Sequence, residues 1–328
     1  MKVGITGVSG FIGSRVAARC GARGLEVVGF SRNPGADARR FELTSAPDIS
    51  GLDAIVNLAG EPILGLWTKG KKRRIHESRV LGTTAPRGGC RQGARPPGVL
   101  VNASAIGFYG DTGENVVDEF SAPGERIFSL TYAPRVGGWR RHAPHLAASR
   151  VVFVRIGFVL GKGGALKLLR PLFKLGLGGK LGSGRQWMSG VHVEDVAGMI
   201  VWALENERLH GAVNAVMPEP FRNADFTREL ARSVTRPAIF PAPAFALRLA
   251  FGELAGSMLA STRVMPTCGA CNAGYAYQFA TLPSAARGGH QLTRSSNPTG
   301  GAPSFSQRPI GRFAGTLGTL LVRAGPDG

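Results

Sequence analysis

The chain has 328 residues, of which 43% are hydrophobic and 19% charged, and these proportions are typical of a folded protein with a large core. Its 40 Lys and Arg residues against 21 Asp and Glu residues give a formal net charge of +19, which raises the question of a nucleic-acid partner. No apolar run approaches the roughly 20 residues of a membrane span, and the first strand-like run leaves no room for a signal peptide. We therefore expect a cytoplasmic protein without a membrane partner.

The four cysteines predict neither a disulfide framework nor a metal site. Cys20 and Cys90 lie far from the others in sequence, so reduced thiols are expected. Cys268 and Cys271 have the spacing of a redox or zinc motif, but a zinc site would need a second pair of ligands. No metal is predicted.

The first predicted element is a short apolar strand, residues 3–6, that runs into a glycine turn. Strand, turn and helix follow in the order of a dinucleotide-binding βαβ unit, and a second apolar strand, residues 26–30, lies at the expected distance. Gly7 would allow the tight turn, Gly10 would leave room for a pyrophosphate, and Gly13 would let the helix pack closely on the sheet. A plain turn without a ligand is the alternative. The candidate cofactor residues here are Thr6, Gly7, Gly10, Phe11, Ile12 and Gly13.

The end of the second strand favours NADP(H) over NAD(H). Ser31 and Arg32 occupy the place where an NAD-specific protein would carry an acidic residue for the ribose hydroxyls. The guanidinium of Arg32 is planar and permanently charged, which suits a 2'-phosphate. A solvated Arg in a turn ahead of Pro34 is the alternative.

Further strand-like runs at residues 53–59, 99–104 and 151–156 alternate with loops and helical stretches. This alternation predicts an α/β fold built on a doubly wound parallel sheet. At the carboxyl edge of such a sheet, small residues let a cofactor lie against the backbone. The candidate cofactor residues at this edge are Leu58, Ala59, Gly60 and Asn102.

The densest basic run, residues 69–74, precedes Ile75 and Val80 at helical spacing. No aromatic platform or recognition module accompanies it, so a solvated helix face is favoured over a nucleic-acid site. We expect no nucleic-acid partner.

The C-terminal part predicts a helix after a cap at Asn223 that ends before Pro237, a second helix over 243–261, and a strand over 275–279. Residues 84–98, 126–150 and the chain after about 284 show no sustained apolar period. That composition is typical of loops and a disordered tail, or of an out-of-frame reading of a GC-rich gene. The predicted organisation is a cofactor-binding domain over 1–220, a small helical domain over 221–283, and a tail over 284–328.

Taken together, these motifs resemble the extended, epimerase-like short-chain dehydrogenases/reductases. The closest resemblance is to the epimerase-family group of the short-chain dehydrogenase/reductase 39U type, which carries a C-terminal domain of unknown function. The matching pieces are residues 6–13, 57–62, 67–68, 78–80, 102–110, 182–189, 192–195 and 223–227, and the most specific of them is 182–189.

The resemblance implies several site residues. Ser104 matches the Ser that hydrogen-bonds the reacting carbonyl or hydroxyl, although a strand-end Ser that satisfies local backbone is the alternative. Tyr109 is a second candidate catalytic residue, with a packed Tyr as its alternative. The candidate substrate residues are Arg185, Gln186, Trp187 and His192. Arg185 could hold an anionic group and Trp187 could stack on a ring, while His192 also fits a strand end before a helix.

The proton-transfer pair of the wider superfamily, a Tyr with a Lys four residues later, is missing. Tyr132 falls in the right region, but Val136 stands four residues on. The resemblance implies an NADP(H)-dependent oxidoreductase or epimerase for a small polar substrate, nucleotide sugars included. An NADP(H)-binding sensor or interaction protein without turnover is the alternative. The oligomeric state is not predicted.

Overall fold

The computed structural model describes residues 1–31, 38–41, 48–61, 68–84, 95–124, 149–266 and 274–287. The strands in these ranges are β1 (Lys2–Thr6), β2 (Glu26–Ser31), β3 (Ala38–Arg40), β4 (Ala54–Asn57), β5 (Val99–Ala105), β6 (Val116–Val117), β7 (Arg150–Ile156), β8 (Phe158–Leu160), β9 (Trp187–Met188), β10 (Gly190–His192), β11 (Gly211–Ala215), β12 (Phe221–Arg222) and β13 (Arg263–Val264). The helices are α1 (Gly13–Ala22), α2 (Lys69–Thr84), α3 (Gly164–Lys174), α4 (Val193–Glu205), α5 (Asn223–Ser233), α6 (Ala244–Phe251), α7 (Leu254–Leu259) and α8 (Leu282–Arg287).

Seven strands form one sheet in the order β11-β7-β5-β4-β1-β2-β3, and every neighbouring pair is parallel. The chain starts in β1, winds outward to β3, returns to β4 and winds the other way to β11. The predicted doubly wound parallel sheet is confirmed. Its carboxyl edge, where the strand order reverses between β1 and β4, is the place where such sheets bind ligands.

Apolar side chains cover both faces of this sheet, as the strand sequences require. On one face, Val3 and Ile5 of β1 pack with Val16 of α1 and Ile200 of α4 in a single buried cluster. On the other face, Phe30, Leu52 and Phe153 belong to a second cluster. The sheet is thus buried between two layers, and α1 is held where its first turn meets the sheet's carboxyl edge.

The C-terminal helices share a core with earlier parts of the chain. Phe226 and Leu230 of α5 lie in one buried cluster with Leu160 of β8 and Phe173 of α3. The described residues all fall within one compact unit, and the predicted boundary at 220 remains a prediction. Leu282 and Ala285 of α8 are buried in the same cluster, so the predicted tail cannot begin at 284.

Two predicted elements of this part are wrong in detail. The helix expected over 243–261 is broken into α6 and α7 at Gly252, whose φ of 56° lies in the left-handed region and ends α6. Residues 275–279 form no strand but an irregular segment that is held by a side chain. Asp195 of α4 accepts hydrogen bonds from the amides of Gln278 (2.8 Å) and Phe279 (2.9 Å) and from the Tyr275 hydroxyl (3.2 Å).

Several predictions fall outside the described residues. They concern Arg32, Tyr132, the pair Cys268 and Cys271, most of 84–98, almost all of 126–150 and the chain after 287. Within the described ranges, no helix combines the length and apolar character that crossing a bilayer requires.

Candidate functional site

The glycine turn between β1 and α1 forms a compact cradle. Gly7 has a φ of 70°, and its amide donates a hydrogen bond to the Phe30 carbonyl (3.0 Å). A Cβ on Gly13 would overlap the Gly7 carbonyl oxygen and lie 2.9 Å from the carbonyl carbon. A Cβ on Gly10 would meet the Gly7 oxygen at 3.1 Å and no other described atom within 4 Å. Gly13 therefore packs against the turn itself rather than on the sheet, and Gly10 leaves open space at the helix N-terminus, where anions bind favourably.

A buried ladder of polar side chains joins this cradle to the neighbouring strands. Thr6, Asn57 and Asn102 lie in register across β1, β4 and β5. The Thr6 hydroxyl donates to Asn57 Oδ1 (2.7 Å), Asn57 Nδ2 donates to Asn102 Oδ1 (2.7 Å), and Asn102 Nδ2 donates to the Ala103 carbonyl (3.1 Å). The sequence predicted Thr6 and Asn102 as cofactor residues but missed Asn57. These hydrogen bonds fix how far the carboxyl ends of β1, β4 and β5 extend relative to one another.

Thr6 also shapes the loop after β4. Its hydroxyl oxygen accepts hydrogen bonds from the amides of Leu58 (3.1 Å) and Ala59 (3.2 Å). A Cβ on Gly7 would lie 3.0 Å from the Leu58 carbonyl oxygen, so the two loops touch through their backbones. Leu58 and Ile12 both direct apolar side chains to the main core, which leaves their backbones for any ligand contact.

A cavity of about 120 Å³ opens between these loops and α2. Gly7, Ser31, Ala59 and Gly60, all predicted cofactor residues, line it together with Phe41 and Arg74. The sequence did not single out Phe41 or Arg74, because only the tertiary fold brings β3 and α2 to the end of β2.

Residues of the basic run hold α2 against the loop after β4. Glu61 pairs with Lys71 Nζ (3.0 Å) and with Arg74 Nε (3.6 Å), and its amide donates to the Ser78 hydroxyl (2.9 Å). Lys72 pairs with Glu253, which precedes α7. The prediction of a solvated face is therefore only partly right, because the Lys71 side chain is 16% exposed and ion-paired.

Phe11, the next predicted cofactor residue, lies under the start of α3. A Cβ on Gly163 would overlap the Phe11 ring, so this glycine permits direct stacking of backbone on the ring. The Arg15 guanidinium lies 4.7 Å from the ring centroid and donates to the Phe11 carbonyl (2.8 Å). The turn before α3 thus closes one side of the cradle.

Ser104 stands near the end of β5, two residues beyond Asn102 and in register with Arg155 of β7. Its hydroxyl oxygen is buried, yet it makes no hydrogen bond to any residue in the described ranges. The expected alternative, a Ser that satisfies local backbone, is therefore not what the structure shows. Burying a hydroxyl group without a hydrogen-bond partner costs folding free energy, and a ligand that supplies the partner would remove this cost.

Tyr109 occupies a different environment from the one a proton donor needs. It is 2% exposed, and its hydroxyl donates to Asn214 Oδ1 (2.8 Å) and accepts from Arg155 (2.6 Å). The Arg155 guanidinium also lies 3.8 Å from the Phe108 ring centroid, and burial raises the pKa of Tyr109. These contacts correct the expectation of a catalytic Tyr109: the packed alternative fits, and we assign it no proton transfer.

His192, a predicted substrate residue, caps α4. It is 3% exposed, its Nδ1 accepts the Glu194 amide (3.3 Å), and its ring lies 3.9 Å from that of Phe279. Burial lowers the pKa of His192 from 6.5 to about 4; the Glu194 carboxylate opposes this shift, and Arg15 and Arg19 reinforce it. The imidazole is therefore neutral near pH 7, which excludes it as a cationic substrate contact or general acid there.

Acid is expected to destabilise the protein through His192. Between pH 6.5 and about 4 the unfolded chain binds a proton at this position and the folded chain does not, so the free energy of unfolding falls as the pH falls. We expect a loss of about 2 kcal/mol from this residue between pH 7 and pH 5. Urea unfolding at both pH values would measure it against His192→Asn, which keeps a cap acceptor but does not titrate. An equal loss in both proteins would contradict the assignment.

Two of the three remaining substrate candidates, Arg185 and Trp187, belong to a cluster around the indole of Trp187. Its indole Nε1 donates to Glu114 (2.8 Å), and the guanidinium groups of Arg222 and Arg263 lie 3.8 Å and 4.4 Å from a ring centroid of the indole. Hydrogen bonds from Arg222 and from Trp187 lower the pKa of Glu114 to about 2. Arg185 is exposed, and its carbonyl accepts from Arg222.

Gln186 is buried and donates to the Leu181 carbonyl (3.1 Å). Its place in the most specific motif is thus explained by packing: it fixes the loop that carries Arg185. The structure brings Arg185 and Trp187 together through Arg222 in one partly exposed cluster, while Gln186 and His192 face inward.

Comparison with known proteins agrees with this architecture. The profile of the NAD dependent epimerase/dehydratase family matches residues 3–215, and that of a domain of unknown function, DUF1731, matches residues 242–288. The epimerase family protein YfhF of Bacillus subtilis (strain 168) is 32% identical over 294 residues, which span 86% of this chain and 95% of the relative.

Solved structures show the same relationship. The crystal structure of human epimerase family protein SDR39U1 (isoform 2) with NADPH has a TM-score of 0.80 at 32% identity and covers 89% of this chain and 100% of that one. The UDP-glucose 4-epimerase of Thermus thermophilus, in complex with NAD, has a TM-score of 0.64 at 18% identity over 88% of this chain and 97% of that one, which supports the fold alone.

These matches confirm the resemblance drawn from the glycine turn and from the motifs at 102–110 and 182–189. They span both the sheet with its cradle and the C-terminal helices. The chain belongs to the NAD dependent epimerase/dehydratase family and has SDR39U1-type epimerase family proteins among its relatives.

Proposed function

We propose that this protein binds NADP(H) in the cradle and catalyses the oxidoreduction or epimerisation of a small polar substrate, with nucleotide sugars as one candidate class. The observation that carries the proposal is the buried Ser104 hydroxyl without a partner among the described residues. It stands at the sheet edge that also carries the cradle and the polar ladder. A reacting hydroxyl or carbonyl oxygen of a substrate would complete its hydrogen bonding.

The residues present fit a dinucleotide. The open space at Gly10 and the N-terminus of α1 suit a pyrophosphate, and the cavity beside Ser31 and Phe41 suits the adenosine end. The related human protein was solved with NADPH, and the guanidinium of Arg32 would suit a 2'-phosphate. When bound, the nicotinamide supplies hydride transfer.

In this proposal the protein's own residues orient the reacting group of the substrate and stabilise the charge that develops on it. The ladder from Thr6 through Asn57 to Asn102 ends on the Ala103 carbonyl and so fixes the backbone before Ser104. From there Ser104 Oγ would donate a hydrogen bond to the reacting oxygen, a contact that stabilises charge as it develops.

A second candidate function, NADP(H) binding without turnover, rests on the tyrosines. The three that the structure describes all have hydroxyls held by protein: Tyr109 by Asn214 and Arg155, Tyr275 by Asp195, and Tyr277 by the Val216 carbonyl. None of these three is placed to serve as the acid of a Tyr and Lys pair. A sensor or interaction protein would keep the cradle and need no such acid.

Ser104→Ala distinguishes the two functions. We expect it to leave the NADPH dissociation constant within about twofold and to lower kcat/KM about 100-fold, the effect of removing one donor to a reacting oxygen. NADPH fluorescence titration and NADPH turnover against a panel of carbonyl compounds and nucleotide sugars measure both. Ser233→Ala, which removes an unrelated hydroxyl bonded to the Leu230 carbonyl, is the control.

Each outcome has a separate meaning. NADPH binding without turnover of any compound would favour the sensor function. Turnover that survives Ser104→Ala unchanged would remove Ser104 from the mechanism. Equal affinity for NADPH and NADH in the wild-type chain would overturn the proposed role of Arg32.

A further inference from the structure

Helix α3 carries an apolar stripe on its outer surface. Leu168 and Leu172 are 59% and 46% exposed, and Leu175, just beyond the helix, is 72% exposed. These positions are four and three residues apart, so they lie along one side of the helix. The opposite side is buried through Leu166 and Phe173. The packing of α3 against the rest of the protein therefore does not use these exposed leucines.

A second apolar stripe lies on the segment before and within α6. Phe245 and Leu249 are 73% and 88% exposed and stand one helical turn apart, while Leu247 between them is buried. Ile239 and Phe240, shortly before the helix, are also more than half exposed.

The two stripes belong to adjoining segments. The chain after α3 pairs with the chain before α6 through an isolated bridge between Leu181 and Ala242, and the Ala242 amide donates to the Lys180 carbonyl (2.9 Å). We refer to this surface as the basic apolar face, formed by the exposed residues Leu168, Leu172, Leu175, Leu177, Ile239, Phe240, Phe245 and Leu249 and by the cations among them. Exposed apolar side chains grouped on adjoining segments are the kind of surface that marks an interaction site.

The charges among these residues have one sign. Residues 161–193 and 230–252 contain no Asp or Glu. Five exposed cations interrupt the apolar stripes, and none of them forms a salt bridge within the described ranges: Lys167, Lys174, Lys180, Arg236 and Arg248. In contrast, Lys71, Lys72, Arg73 and Arg74 of α2 are all paired with carboxylates.

We infer that the basic apolar face rests on the surface of an anionic lipid bilayer. Outward apolar side chains flanked by Lys and Arg are the pattern of elements that lie in a membrane interface, where the apolar groups enter the headgroup region and the cations attract anionic lipids. A second copy of this chain fits poorly, since a twofold interface would oppose the same unpaired cations. Bare nucleic acid would use the cations but not the leucines and phenylalanines. The proposed bilayer contact departs from the expectation, drawn from the sequence, of no membrane partner.

The test uses the full chain and vesicles of phosphatidylcholine with or without phosphatidylglycerol, followed by sedimentation at low and high salt. We expect retention on the anionic vesicles, weaker at high salt, and little on the neutral ones. The double variant Phe245→Ser/Leu249→Ser should lower the partition coefficient about tenfold or more, given the apolar area removed. Phe120→Ser is the matched control, because Phe120 is 79% exposed but follows the acidic pair Asp118 and Glu119.

Circular dichroism of each variant establishes that it is folded. No retention of the wild-type chain on anionic vesicles would overturn the inference, as would equal loss in the control variant. A wild-type dimer that becomes a monomer in Phe245→Ser/Leu249→Ser would assign the face to a second copy and overturn it too.

Discussion

Gly13→Ala is expected to disrupt the cofactor cradle. The added methyl group would overlap the Gly7 carbonyl oxygen and come within 3.0 Å of Val8 Cα. Both neighbours are backbone, which cannot rotate away as a flexible side chain could, so the turn itself would have to shift. We expect the free energy of unfolding to fall by about 1–3 kcal/mol and NADPH binding to be lost. Urea unfolding and NADPH fluorescence titration measure the two effects.

Two other glycines give matched controls for this substitution. Gly10→Ala should lower the free energy of unfolding less than Gly13→Ala does, because its Cβ meets only the Gly7 carbonyl oxygen, at 3.1 Å, among the described atoms within 4 Å. It should still weaken NADPH binding, because it places a methyl group where a phosphate would approach. Gly21→Ala, within α1 and with no atom within 4 Å, should be neutral or stabilise the helix by up to about 1 kcal/mol. A Gly13→Ala protein that binds NADPH like wild type would contradict the cradle.

Asp195→Asn is expected to cause the second large effect, on stability. Asp195 is fully buried and accepts from two amides and one hydroxyl of residues 275–279. Burial raises the pKa of its carboxyl, while the same three donors oppose that shift. An Asn amide would point hydrogens at the amide of Gln278 or Phe279, which leaves buried donors unsatisfied. We expect a loss of about 3 kcal/mol in the free energy of unfolding.

Hydrogen exchange separates this local effect from general damage. In Asp195→Asn the amides of Gln278 and Phe279 should exchange much faster, while those of β1 and β4 should keep their order of protection. Tyr275→Phe, which removes one donor and leaves the carboxylate paired, should cost only about 1 kcal/mol. Unchanged protection at Gln278 and Phe279 in Asp195→Asn would contradict the role assigned to this carboxylate.

The cradle could be predicted from the sequence because its determinants are local. Gly7, Gly10 and Gly13 are close along the chain, and their roles follow from the strand before them and the helix after them. The position of Ser104 could be predicted because it lies near the end of a strand at the same edge, whereas its role in the site remains a proposal. The doubly wound sheet followed from the alternation of elements.

The environment of the other candidates could not be predicted, since distant residues create it. Tyr109 is held by Asn214, 105 positions away, and Trp187 by Glu114, 73 positions away. No local pattern distinguishes a side chain that faces the crevice from one that packs against such partners. Asn57 was missed for a similar reason, because its role depends on register across three strands.

The surface distribution of the net charge of +19 could not be predicted from the sequence either, because it depends on which cations the fold pairs with carboxylates. The dense basic run of α2 is largely neutralised by Glu61, Glu77 and Glu253. The sparser cations near α3 and α6, such as Lys167, Lys174 and Arg248, form no salt bridge within the described ranges and lie beside exposed leucines. Local density of charge along the sequence is therefore a poor guide to where unpaired charge lies on the folded protein.

The cradle and Ser104 are proposed to form one site around NADP(H), and a crystal structure of the full chain with NADPH tests this most directly. We predict the pyrophosphate at the N-terminus of α1 beside Gly10, and the nicotinamide at the carboxyl edge of the sheet next to Ser104 Oγ. A nicotinamide that lies away from Ser104, with the hydroxyl turned to a protein partner instead, would contradict the proposal.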